Sequence, residues 1–151
     1  MQTWVQRVAG LVPLFLAIYV NAQPPTDFTG HWRLQAASGA QRQLEIEQNG
    51  EILLVRTIVT NSQGTRRLEV RYVIGGPATS YTGLDGDQFR TSVRWDGNTL
   101  VFDTVEHEDG RDIPEKTVWT LPGDRNTLQV ARQSAKSARA TPSPSNYSRQ
   151  P

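Results

Sequence analysis

Residues 89–103 read FRTSVRWDGNTLVFD. Phe89, Thr91, Val93 and Trp95 alternate with Arg90, Ser92 and Arg94. This period of two sends successive side chains to opposite faces of a strand. Asp96-Gly97 is a hairpin turn signal. Taken as the two loop residues, it sets Trp95 opposite Asn98, Val93 opposite Leu100, Thr91 opposite Phe102 and Arg90 opposite Asp103. Apolar side chains then meet on one face and opposite charges on the other. Asn49-Gly50 treated the same way pairs Ile46 with Leu53 and Leu44 with Val55. A slip by one residue would put charges into the core.

The same rhythm extends in both directions. Leu68, Val70, Tyr72 and Ile74 alternate with Arg67, Glu69, Arg71 and Val73. Turn residues recur at Gln63-Gly64, Gly75-Gly76-Pro77, Asp109-Gly110 and Pro122-Gly123-Asp124. No segment between them has the length and 3.6-residue period of a helix. The pattern predicts eight strands near 28–35, 42–48, 51–60, 66–74, 87–95, 98–107, 111–121 and 127–133. Trp119 and Leu121 share a face with Leu128 and Val130 if the loop between them has an even count or a bulge. Short consecutive hairpins favour a closed barrel over a two-sheet sandwich, because closure removes exposed edges. The expected fold class is all-β, an eight-stranded antiparallel up-and-down barrel.

The ends read differently. Val8 to Val20 is an apolar run interrupted by Pro13, shorter than the roughly 20 residues a spanning helix needs. With Arg7 before it and Val20-Asn21-Ala22 after it, residues 1–22 read as a cleavable signal peptide. The expected mature chain starts at Gln23, is secreted or periplasmic, and has no membrane span. Residues 133–151 are rich in Ser, Ala and Pro, carry Lys136, Arg139 and Arg149, and hold no acid. They read as a disordered basic tail. Residues 23–132 form the expected barrel domain.

The 151-residue chain carries 16 basic and 15 acidic residues and no cysteine. Such balance gives no general attraction to nucleic acid, and the four outward arginines Arg67, Arg71, Arg90 and Arg94 lack the exposed aromatics that single-strand binding uses. Absence of cysteine excludes disulfides, thiolate metal sites and a cysteine nucleophile. His31 alternates outward beside Trp32, and His107 sits at a polar hairpin tip. Asp85-Gly86-Asp87 matches only part of a calcium loop. No Gly-x-Ser-x-Gly or phosphate-binding loop occurs. No cofactor, metal ligand set or catalytic residue is assigned.

Phe28-Thr29-Gly30-His31-Trp32, Arg94-Trp95-Asp96-Gly97-Asn98-Thr99-Leu100, Val118-Trp119-Thr120-Leu121 and Thr127-Leu128-Gln129-Val130-Ala131-Arg132 occur in that order. Together they resemble the small secreted bacterial lipocalin-like (calycin) barrels, over roughly Phe28 to Arg132. That resemblance implies that Trp32 closes one end of the barrel while Arg132 packs across it, a structural pair rather than a ligand contact. The chain lacks room for a helix beside the barrel, so an internal cavity should be small.

Two functions follow. In the first, the interior binds a small apolar or mixed-polarity ligand, with Tyr72, Phe89 and Phe102 as apolar lining and Thr57, Thr91 and Thr104 as hydroxyls. The alternative is an envelope protein-binding module, like the protease-inhibitor calycins, working through its exterior and the Gln23–Asp27 arm. An enzyme ranks third.

Overall fold

A computed structural model describes residues 25–34, 39–137 and 144–151. The proposed signal segment lies outside these residues. The described chain is one antiparallel sheet of ten strands: β1 (Gly30–Leu34), β2 (Gln41–Asn49), β3 (Ile52–Asn61), β4 (Gly64–Val73), β5 (Thr79–Thr82), β6 (Gln88–Asp96), β7 (Thr99–Glu108), β8 (Arg111–Thr120), β9 (Thr127–Ser134) and β10 (Ser145–Gln150). One 3₁₀ turn, Ala135–Ser137, follows β9. No helix among the described residues is long and apolar enough to cross a membrane.

Neighbour order runs β4-β3-β2-β1-β10-β9-β8-β7-β6-β5, so the meander curls round and β4 and β5 are its two ends. The result is a nearly closed barrel. Its seam between β4 and the β5–β6 hairpin is bridged rather than laddered. Gly75 donates its N–H to Val93 O at 2.7 Å, Thr79 Oγ1 donates to Arg71 O at 3.2 Å, and Arg66 Nη1 donates to Leu84 O at 2.9 Å.

All eight expected strands are present, and two more were missed. One is β5, four residues of Thr and Ser around Tyr81, too short to show a period by itself. The other corrects the disordered-tail reading of 133–151 at its far end, residues 138–143 lying outside the described ones. Ser145–Gln150 inserts between β1 and β9, pairing Trp32 with Arg149, Leu34 with Tyr147, and Leu128 with Tyr147 on the other side. Its low apolar content is offset by the ladder on both edges and by Tyr147, which is buried. The barrel therefore extends to Gln150, not Arg132. Asn146 of the Asn-Tyr-Ser pattern lies within this strand, its Oδ1 buried.

The two hairpin registers are also corrected, each by two residues. Asp96 pairs with Thr99, Trp95 with Leu100, Val93 with Phe102 and Thr91 with Thr104. Asn49 pairs with Ile52, Ile46 with Val55 and Leu44 with Thr57. The loops are thus Gly97-Asn98 and Gly50-Glu51, with glycine first at φ 57° and 59° and an ordinary residue second. That sign pattern suits a turn of the II′ kind, in which only the first position must be left-handed. A shift of two leaves every side chain on its expected face. Trp119 does share a face with Val130, its direct partner.

Strand direction places the β2–β3, β6–β7 and β8–β9 connections at one end and the β3–β4, β5–β6 and β7–β8 connections at the other. The first end is filled. Phe28, Trp32, Leu53, Leu100 and Leu128 are fully buried there, and the Trp32 indole N–H donates to Phe28 O at 3.1 Å. Thr26 is tied down beside them, its hydroxyl donating to Asn98 O and its carbonyl accepting from Gln48 Nε2. The described end of the N-terminal arm is therefore docked onto the barrel.

Trp32 closes this end as expected, but its cationic partner is Arg149. The Arg149 guanidinium lies 4.2 Å from the Trp32 ring centre, donating from Nη1 to Thr29 O at 2.8 Å and from Nε to Arg125 O at 3.1 Å. A Cβ on Gly30 would stand 2.6 Å from Arg149 Nη1, which gives the Gly-x-Trp spacing its physical reason. Arg132 points inward at the far end of β9, a strand length away. We expect Trp32→Leu and Arg149→Ala to couple by about 1 kcal/mol in a double-mutant cycle, the scale of a partly exposed cation–π contact. Trp32→Leu and Arg132→Ala should add independently in urea melts. Coupling to Arg132 instead of Arg149 would contradict this arrangement.

Candidate functional site

Above the filled end, the inward residues enclose a cavity of about 280 Å³, near the small end of ligand pockets. Aromatic rings in contact run from the plug to the mouth. Trp119 lies 4.6 Å from Phe102, Phe102 5.6 Å from Tyr72, Tyr72 6.2 Å from Tyr81, and Tyr81 5.5 Å from Phe89. All five rings line the cavity. They arise from five strands because each contributes alternate residues to the same face.

The six expected ligand-lining residues all face this space: Tyr72, Phe89, Thr91, Phe102, Thr104 and Thr57. Two of the hydroxyls are already engaged. Thr91 Oγ1 lies 2.8 Å from Thr104 Oγ1 and 3.2 Å from the Tyr81 hydroxyl. These threonines satisfy one another inside the wall, whereas Thr57 has no such partner among the described residues. Burial pushes the Tyr72 phenol well above its ordinary range, and the adjacent Tyr81 adds to the effect. It remains neutral at any physiological pH.

Among the cavity residues not anticipated as ligand contacts are Arg42, Glu115, Arg132 and Tyr147. Arg132 was assigned to barrel closure instead. Its Nη2 is 2.5 Å from Glu115 Oε2. Burial raises the Tyr147 phenol above its usual value, with Arg42 pulling the other way. Period two was the available signal for Glu115, which shares the parity of Thr117 and Trp119, and for Tyr147, which shares that of Arg149.

Other polar groups gather at the rim. Lys136 Nζ stands 3.0 Å from Glu106 Oε1 and 2.6 Å from Glu108 Oε2. Carboxylates of Asp85, Asp87 and the buried Glu106 lie within 4.8 Å of one another. Poor solvation and the neighbouring acids raise Asp87, while Lys136 opposes them. The ammonium already occupies the counter-charge position beside Glu106. His31 and His107 are exposed as expected and face Glu45 at 3.9 Å and Asp112 at 2.9 Å. Arg67, Arg71, Arg90 and Arg94 all point outward, Arg94 towards Asp103 at 3.3 Å. A broader depression of about 650 Å³ crosses the outside of β6 to β9, bordered by Arg90, Asp103, Val105 and Lys116.

No family model and no curated protein sequence matches the chain. Solved structures do match its fold. A REP1-NXSQ fatty acid transporter superposes with a TM-score of 0.62 at 15% identity, over 82% of this chain and 96% of its own. Lipid binding protein 8 of Caenorhabditis elegans gives 0.63 at 12% identity, over 82% and 95%. Secretory abundant heat soluble protein 4 of Ramazzottius varieornatus gives 0.63 at 12% identity, over 86% and 97%. The chain is similar to these calycin-type barrels in architecture.

Proposed function

We propose that the chain is an exported binding protein that takes a small apolar or mixed-polarity molecule into its barrel, without catalysis. The aromatic-walled cavity carries this reading. The barrel end beneath it is filled by Trp32 and Phe28, its wall is aromatic with a few threonine hydroxyls, and its charged groups collect towards the opposite end, where an amphiphile's head would rest. The lipid-binding names of two structural neighbours support the same class of ligand. Export rests on the apolar run ahead of Val20-Asn21-Ala22.

Isothermal titration of the full chain with ten-carbon amphiphiles tests the reading, alongside native mass spectrometry of protein from its own host. Thr57→Leu is the informative variant. It fills the cavity without stranding a bonded hydroxyl, as enlarging Thr91 would do. Overpacking costs typically 1–3 kcal/mol, so the variant should stay folded while binding falls by about tenfold or more. Unchanged affinity in a folded Thr57→Leu protein would place the ligand elsewhere, and the outer depression over β6–β9 would then lead.

A further inference from the structure

Glu115 is the unusual member of the cavity wall. Its side chain is 10% exposed, and the register of β8 turns it inward between Thr104 and Ser134. Oε1 receives only a long 3.4 Å contact from the Thr117 hydroxyl. Oε2 is buried and has no aligned hydrogen-bond donor among the described residues, although Arg132 Nη2 stands beside it. Oε2 is therefore closed off against Arg132, and Oε1, held by that long contact alone, is the oxygen with acceptor capacity left. Arg132 keeps its own charge largely in water, its side chain 57% exposed, and Arg42 is exposed at the rim. Of the charged groups that line the cavity, Glu115 is the most buried.

Resting on the reading of the barrel as an amphiphile carrier, we infer that this site selects an uncharged head group that donates a hydrogen bond, of the primary amide or alcohol class, over a free carboxylate. A ligand entering the cavity covers Glu115 from the remaining water. Covering an acceptor without supplying a donor carries a large desolvation cost. An amide N–H or hydroxyl supplies that donor at Oε1. Its oxygen can in turn accept from Arg132 or from the Tyr147 phenol, which stays protonated. An ionised carboxylate offers no donor and brings a second negative charge against Glu115. The Arg132 guanidinium is already paired with that residue, and Arg42 stands exposed at the rim, where water weakens its attraction.

Decanamide and sodium decanoate, titrated separately into the full chain at pH 7.5, compare the two heads on one tail. Decanamide should bind about tenfold or more tightly than decanoate. Glu115→Gln keeps the shape, removes the charge and adds a donor, so it should narrow that ratio or invert it. Decanoate binding as well as or better than decanamide in the unaltered protein would overturn the inference with no variant needed. So would the same ratio before and after Glu115→Gln. Binding of neither probe would instead remove the carrier reading itself, and the head-group preference with it.

Discussion

Deletion of residues 144–151 is expected to unfold the barrel. The segment forms backbone ladders on both edges, four paired positions with β1 and four with β9. Each net hydrogen bond contributes about 1 kcal/mol. Loss of the buried Tyr147 adds about 3–5 kcal/mol, as for other large core aromatics. Arg149 leaves the Trp32 ring at the same time. These losses together match or exceed the roughly 5–15 kcal/mol by which domains are usually stable. The cut also exposes the facing edges of β1 and β9, which invites edge-to-edge association. Far-UV circular dichroism and gel filtration should show a chain that is unfolded or aggregated at 25 °C. A truncated protein that melts like the full chain would return this segment to the status of a dispensable tail.

Replacing Trp32 by alanine should cost about 3–5 kcal/mol, equivalent to a fall in Tm of about 10–20 °C. Trp32 is fully buried. Its removal leaves a void beside Phe28, orphans the Phe28 carbonyl that the indole N–H satisfied, and strips the ring from under Arg149. Its position at the filled end, outside the cavity lining, separates stability from binding. Just below the Tm, the folded fraction of Trp32→Ala should keep its affinity for a ten-carbon amphiphile, because Trp119 and Phe102 form that wall. A loss of affinity larger than the loss of folded protein would mean that Trp32 touches ligand after all.

Face assignment was legible throughout. Phe89, Thr91, Phe102, Thr104, Tyr72 and Thr57 were expected inward, and all of them line the cavity. Parity survives a register shift of two, which is why the error in both hairpins moved no residue across the sheet. The error itself came from placing Asn49 and Asp96 in the loops. The turn needs a left-handed position at the glycine, so each loop begins there and the preceding polar residue ends its strand.

The misses share a different cause. Ser145–Gln150 has one aromatic and no aliphatic residue, so its composition resembles a solvated tail. It becomes a strand because the barrel offers it two open edges at once, a gain that exists only after β1 and β9 have been brought near one another. The choice of Arg149 over Arg132 follows from the same closure, since both arginines sit on inward-parity positions and differ only in which end of the barrel they reach. Glu115 and Arg132 meet because β8 and β9 pair, a contact between residues with no local signature. The sequence by itself determined the strands' inner and outer faces, their turns and the apolar character of the interior, all properties of period two within a few residues. The number of strands, the cation over Trp32 and the charge inside the cavity were decided by the tertiary structure, because each depends on pairing partners that only barrel closure supplies.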